Sequence, residues 1–287
     1  MRREKLLKII KIAQKNNSAL PQFNFSEFAQ VKAIIAVSEK LKKSFIFGTS
    51  EGESNYIGLN MAVAFRKEAE RKLGFPVILN LDHGKSFEYL KKAIDAGYDM
   101  VHFDGSKLPI KENIKITKKV VNYARKKDVL VEGEIGYLQG ASKIHKEVAK
   151  ISAKDMTKPE EAKEFILKTG VDSLAVVIGN IHGIYVKMPS LDLDRLSMIK
   201  KKIGKNIFLV LHGGSGISER EIKEAIKIGI AKININTEIR AAWRNGLEKV
   251  LKKNPREIVP YKIMPKTITE IEKVIEGKMK LFSGYKF

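Results

Sequence analysis

Three of the five histidines in this chain are followed by glycine: His83-Gly84, His182-Gly183 and His212-Gly213. A neutral imidazole is a common metal ligand, and catalytic zinc usually takes three protein ligands and keeps a fourth position open. A glycine after the ligand lets the main chain clear metal and substrate. The pairs lie 99 residues apart (83 to 182) and 30 residues apart (182 to 212), so only a fold that gathers distant segments could unite them. The competing reading of each is a structural imidazole bonded to a neighbour. His102, inside an apolar run, and His145, in a polar stretch, lack the glycine; His102 is expected to pack or bond locally and His145 to be exposed.

Carboxylates stand beside these candidates. Asp82 adjoins His83 but points to the opposite side of an extended chain, which leaves it free to move protons. Its alternative role is a helix cap or a partner that orients a histidine. Asp104 and Glu134 can act as further metal ligands or as salt-bridge partners, and spacing does not separate the two.

A third group suits an anion. Gly213-Gly214-Ser215-Gly216 stands between an apolar run and Ser218, which precedes Glu219 and Glu221 as an N-cap precedes a helix. Main-chain N–H groups of such a turn, with the helix dipole behind them, attract phosphate. Asn234, Asn236 and Thr237 follow the next apolar run with further donors. GGSG alone could be a flexible turn; the pairing of the two segments is more specific.

The elements that must position these groups alternate along the chain. Strands are expected at 20–25, 44–49, 77–81, 100–103, 129–134, 173–178, 207–211 and 232–235. Helical periodicity marks 28–41, 57–73, 87–96, 114–126, 159–168 and 219–228, with Pro159 as a start and Gly97 and Gly170 as stops. The polar and glycine-rich clusters nearly all follow a strand. That pattern predicts an α/β fold of the (β/α)8 TIM-barrel type, whose C-terminal rim collects such positions, over a doubly wound open sheet. Nothing divides residues 1–287, so a single TIM-barrel domain is expected. The stretch 135–152 reads as a polar loop able to act as a mobile cover.

Composition limits the partners. With no cysteine, disulfides and thiolate metal sites are excluded. The net charge of +21 comes mostly from lysine spread along the chain, without the Arg- and aromatic-rich segment of a nucleic-acid reader. It suits an attraction for phosphorylated metabolites. The N-terminal segment is amphipathic, with Leu6, Leu7, Ile10 and Ala13 on one face, and no stretch approaches a membrane span. A cytoplasmic location, no membrane partner and no nucleic acid are expected.

Taken in order, LDHG (81–84), FDGS (103–106), VEGEIG (131–136), AVVIGNIHG (175–183), LVLHGGSG (209–216) and INTEIR (235–240) resemble class II, metal-dependent ketose-bisphosphate aldolases. The resemblance runs from 23–25 to 280–282. It implies a zinc ion on His83, His182 and His212, with Asp82 as acid/base. Asp104 and Glu134 match positions for a second divalent metal. Gly183, Gly213, Gly214, Ser215, Asn234, Ile235, Asn236 and Thr237 match a dihydroxyacetone phosphate pocket that a monovalent cation can assist, and Ser50 and Asn24 align with polar residues on the substrate side. The family's commonly dimeric or larger assembly is implied as well.

Two departures stand out. Where the family has a glycine-rich, acidic stretch whose glutamate moves a proton at C3, this chain has YLQGASKIHKEVAK (137–150), which leaves Glu147, then His145, as candidates. Fructose-type members usually carry Asp where Asn236 stands. The resemblance therefore implies cleavage of a ketose 1,6-bisphosphate, fructose- or tagatose-type, to dihydroxyacetone phosphate and glyceraldehyde 3-phosphate. The reading from another class is a sugar-phosphate or nucleic-acid binder without catalysis.

Overall fold

A computed structural model describes residues 2–149 and 151–283. Its strands are β1 (Leu20–Asn24), β2 (Ile46–Ser50), β3 (Ile78–Gly84), β4 (Met100–Phe103), β5 (Leu130–Ile135), β6 (Gly140–Ile144), β7 (Ser173–Val176), β8 (His182–Ile184), β9 (Phe208–Leu211) and β10 (Ile230–Ile235). Eight of them close a parallel barrel in the order β1-β10-β9-β7-β5-β4-β3-β2, and β6 pairs with β8 in a separate two-stranded sheet. The barrel strands are short apolar runs covered on both faces, barrel lumen inside and helices outside, which is why they lack polar alternation. This is the (β/α)8 TIM barrel that the element pattern predicts.

The bottom of the barrel is closed by the N-terminal helix Arg2–Lys15. Leu6, Ile10 and Ala13 pack on the first residues of the strands, including Leu20, Ile46, Ile78 and Met100. Each fully buried Leu or Ile contributes about 1.5–3 kcal/mol. Arg2 and Arg3 fix the helix there by ion pairs to Asp99 and Asp172.

Ser218 and Ser86 cap their helices, Pro159 opens one, and Gly97 and Gly170 end theirs in the left-handed conformation. Most boundaries differ from the sequence reading by one or two residues, and the helix read at 114–126 begins at Ile110; three further differences bear on the site. The helix expected at 57–73 is two, Glu51–Ile57 and Leu59–Leu73, broken at Gly58. β3 continues three residues beyond Leu81, through Asp82 and His83 to Gly84. The polar stretch 135–152 contains β6, whose Gly140 and Ile144 pair with His182 and Ile184. Among the described residues, no helix is long and apolar enough to cross a membrane.

Candidate active site

The C-terminal rim of the barrel brings Asp82 and His83 (β3), His182 (β8) and His212 (after β9) to one cavity of about 240 Å³. The His83 ring centroid lies 4.8 Å from that of His182 and 4.6 Å from that of His212, and His182 and His212 are 6.4 Å apart. The Gly-after-His pattern has a packing reason. Gly213 has φ +62°, and a Cβ there would lie 2.3 Å from the Ile181 carbonyl oxygen. A Cβ on Gly84 would meet Leu90 Cδ1 at 2.8 Å and the His102 carbonyl at 3.1 Å. Glycine at 213 lets the His212 segment pack against the His182 segment, and glycine at 84 lets β3 approach Leu90 and the His102 carbonyl.

Hydrogen bonds set the tautomers of His212 and His83. His212 Nε2 is 2.7 Å from Glu132 Oε1, so the carboxylate accepts its proton and Nδ1 keeps the lone pair. Nδ1 is met by the Asn234 amide N–H at 3.1 Å. His83 Nδ1 is 3.1 Å from Asp104 Oδ2, so in the neutral ring the proton sits on Nδ1 and Nε2 carries the lone pair; Nε2 is buried and makes no hydrogen bond among the described residues. Burial, with His83 and His212 beside it, holds His182 well below the ordinary histidine pKa. Burial and His83 lower His212 in the same way. Burial opposes a charge on His83, but Asp82 and Asp104 outweigh it and raise its pKa. Two neutral imidazoles, an unpartnered His83 Nε2 and adjacent carboxylates together fit a cation.

Among the described residues, ligand atoms close enough to share an ion form two groups: Asp82, His83, His102 and His212, and His83, Asp104 and Glu134. His182 belongs to neither group but lines the same cavity. Asp104 and Glu134 thus lie within ion-sharing distance of His83, with Asp104 paired to its Nδ1 here.

Asp82 is buried and clamped. Asn24 Nδ2 donates to its Oδ2 at 2.9 Å and Asn234 Nδ2 to its Oδ1 at 3.0 Å. Burial raises its pKa, but His83, His102, His212 and Lys232 more than reverse this and hold it well below the usual carboxylate range. It is ionised and aimed at the cavity.

Ser50, Gly183, Gly213, Ser215, Asn234, Asn236 and Thr237 border the cavity. Gly214 and Ile235 are not brought to it. The Gly214 N–H donates to the Asn234 carbonyl at 3.1 Å, and Ile235 is buried in the core. Ser50 also caps the helix Glu51–Ile57 in a reciprocal box with Glu53. The helix Thr237–Lys253 begins at the wall of the cavity; its N-cap Asn236 makes no capping bond, while the Glu238 N–H donates to Ser215 Oγ at 3.4 Å.

Glu147 is exposed and does not border the cavity; its Oε1 lies 3.5 Å from His145 Nδ1. His145 is not exposed as expected. It stacks on Tyr185 at 4.0 Å and 5° and reaches the Ala141 carbonyl at 3.0 Å.

Glu53, Arg240 and Glu132, which have no role in the sequence reading, are central to the geometry, as is His102, which bonds locally as expected. Glu53 gathers Asn24 Nδ2 (3.0 Å), Asn236 Nδ2 (3.1 Å), Ser50 N (2.8 Å) and Arg240 (2.5 Å). Arg240 borders both the metal-type cavity and a neighbouring cleft of about 580 Å³. Glu132 joins Lys232 Nζ (2.7 Å) to His212. Arg240 and Glu132 lie inside the quoted motifs, but only the fold shows their partners. His102 is fully buried beside Asp82, Glu132 and Glu134.

Residues 4–285 match the family model described as "Fructose-bisphosphate aldolase class-II". The chain is 38% identical over 275 residues to the 6-phospho-5-dehydro-2-deoxy-D-gluconate aldolase of Shouchella clausii, covering 95% of this chain and 92% of that one. It is 36% identical over 277 residues to the fructose-bisphosphate aldolase of Geobacillus stearothermophilus, covering 95% and 94%. The crystal structure of the YdjI aldolase from Escherichia coli K12 superposes with a TM-score of 0.82 at 29% identity, with 96% of each chain covered.

Proposed function

The chain belongs to the class II fructose-bisphosphate aldolase family, and from that premise we propose that it reversibly cleaves a ketose 1,6-bisphosphate to dihydroxyacetone phosphate and glyceraldehyde 3-phosphate. Fructose 1,6-bisphosphate is the first candidate and the tagatose isomer the second. The observation that carries the reading is one small cavity holding three glycine-flanked histidines beside the clamped, ionised Asp82.

His83, His182 and His212 would hold a divalent metal, zinc in this reading; when bound, it supplies a Lewis acid for the charge that develops at the substrate carbonyl. Asp104 and Glu134 offer a second ion position around His83. In cleavage, Asp82 takes the proton of the C4 hydroxyl. The C3–C4 bond breaks, its electron pair stays with C3, and C4 leaves as the aldehyde. In condensation Asp82 returns that proton. Its two amide donors keep one carboxylate orientation through the step. The C3 proton needs another carrier, for which Glu147 is the candidate; its use requires the segment after β6 to fold over the cavity.

The phosphate beside the carbonyl suits the N-terminus of Thr237–Lys253, whose Glu238 N–H meets Ser215 Oγ, with Gly213, Ser215 and Thr237 lining the cavity there. Binding there supplies energy remote from the reacting bond and places C3 and C4.

A second reading concerns the distal half. The named substrate of the Shouchella relative also carries its phosphate on the carbon next to a ketone, but ends in a carboxylate. A head of the same chemistry would occupy the same end of the cavity, and Arg240 would face either terminal anion from the neighbouring cleft. The deciding experiment measures dihydroxyacetone phosphate release from fructose 1,6-bisphosphate, tagatose 1,6-bisphosphate and 6-phospho-5-dehydro-2-deoxygluconate, with metal content determined on the same sample. No release from any of them would overturn the aldolase assignment of this site.

A further inference from the structure

β3 carries a bulge where the site begins. Leu81 pairs with Val101 and Gly84 with Phe103, so Asp82 and His83 together stand opposite the single residue His102. A two-against-one bulge breaks the hydrogen-bond ladder and re-aims the side chains of the bulged strand. His83 also takes φ +51°, a left-handed conformation that non-glycine residues rarely adopt. Its main-chain N–H is thereby removed from the ladder, and a buried N–H needs an acceptor.

The acceptor is the ring of His102, whose Nδ1 lies 3.1 Å from His83 N. A main-chain N–H only donates, so the Nδ1 lone pair is committed to it and the ring proton of the neutral form is on Nε2. Nε2 lies 3.0 Å from Glu134 Oε2, an ion-pair distance without hydrogen-bond geometry, and both atoms are buried with no hydrogen-bond partner among the described residues. The N–H pointing at Nδ1 leaves no room for a proton on that nitrogen, so this geometry accepts the ring only with Nδ1 unprotonated.

We propose that His102 is a positioning residue of the metal cavity: it stands opposite the β3 bulge, accepts the His83 main-chain N–H, and so fixes the direction of the His83 imidazole without being a ligand itself. The inference rests on the reading that His83 binds metal. Its function is distinct from that of His83, because one nitrogen of His102 is committed to the main chain and the other carries a proton. Glu134, beside both rings, is 3.0 Å from His102 Nε2 and 3.7 Å from His83 Nδ1, so His102 also restrains the carboxylate on the far side of His83.

Asparagine places an amide oxygen where Nδ1 stands, whereas glutamine places its amide near Nε2. The full-length chain is therefore made as His102→Asn, His102→Gln, His102→Met and, as a control, His83→Ala. Zn2+ affinity is measured by competition with a chromophoric chelator, and ligand geometry from the Co2+ absorption bands. The expected result is a loss of about tenfold or more in Zn2+ affinity for the Met variant, near wild-type affinity and Co2+ bands for Asn, and no recovery for Gln. Wild-type affinity and bands in the Met variant would overturn the proposal. So would recovery by Gln rather than Asn, or equal changes in the Co2+ bands of both, which a lost ligand would give. If the Met variant does not fold, Asn against Gln decides. Unchanged affinity in His83→Ala would instead refute the metal reading beneath it.

Discussion

His212 Nε2 lies 2.7 Å from Glu132 Oε1, and this contact decides which nitrogen of His212 the cavity receives. The second oxygen of Glu132 lies 2.7 Å from Lys232 Nζ, so a buried lysine pins the carboxylate that pins the imidazole. Lys232, Glu132 and His212 come from β10, β5 and the end of β9, and are fully or almost fully buried. Burial raises the Glu132 pKa, but Lys232 and His212 outweigh it and hold the carboxyl far below its usual range.

Glu132→Gln keeps the shape but removes the charge. Lys232 is then buried without a counter-charge, an arrangement that costs about 3–5 kcal/mol. His212 also loses the acceptor that sets its tautomer, so metal affinity falls by about 10–100-fold. Urea denaturation and chelator competition measure the two effects separately. Unchanged values in both would show that the contact is incidental.

Asp82→Ala separates proton transfer from metal holding. The variant is expected to keep its metal and to lose cleavage by about 10²–10⁴-fold, the range typical of a removed acid/base. Metal analysis and the coupled assay are run on one preparation. A rate close to that of the parent chain sinks the assignment of Asp82.

Removing metal tests the cavity as a whole. Chelation is expected to abolish cleavage and Zn2+ to restore it. Because metal binds only the folded arrangement, loading at about 100 times Kd adds about 2.7 kcal/mol of stability. Thermal melts with and without Zn2+ read that difference. Full activity in a thoroughly metal-free sample would exclude the Lewis-acid role.

The sequence carried the barrel because its strands are apolar on both faces, and it carried the histidine trio because each has a glycine for a packing reason. It did not carry β6. That strand is almost wholly exposed, pairs only with three-residue β8, and so has no alternation to detect. His102 reads as packing or bonding locally within its strand, and it does bond locally, to the His83 N–H. Its meaning comes from register: it faces two residues of β3 and lies beside two carboxylates of β5. Gly214 and Ile235 went the other way. They sit inside segments shaped like an anion pocket, but one spends its N–H on Asn234 and the other alternates into the core.

Gly213→Ala tests whether the glycine after His212 is a packing requirement. Two penalties apply: the left-handed φ of +62°, and a Cβ placed 2.3 Å from the Ile181 carbonyl. Gly74 has φ +73° with nothing within 4 Å of its added Cβ, so Gly74→Ala carries the first penalty alone. The conformational part is about 1–2 kcal/mol in each, and overpacking adds about 1–3 kcal/mol at Gly213. Relief of that clash must move Ile181, whose chain neighbour is His182, or the Gly213 segment that follows His212. Gly213→Ala is therefore expected to weaken Zn2+ binding as well as stability, and Gly74→Ala to reduce stability only. Denaturation midpoints and chelator competition on both variants provide the check, and equal losses of stability with unchanged Zn2+ affinity would reduce Gly213 to a turn residue.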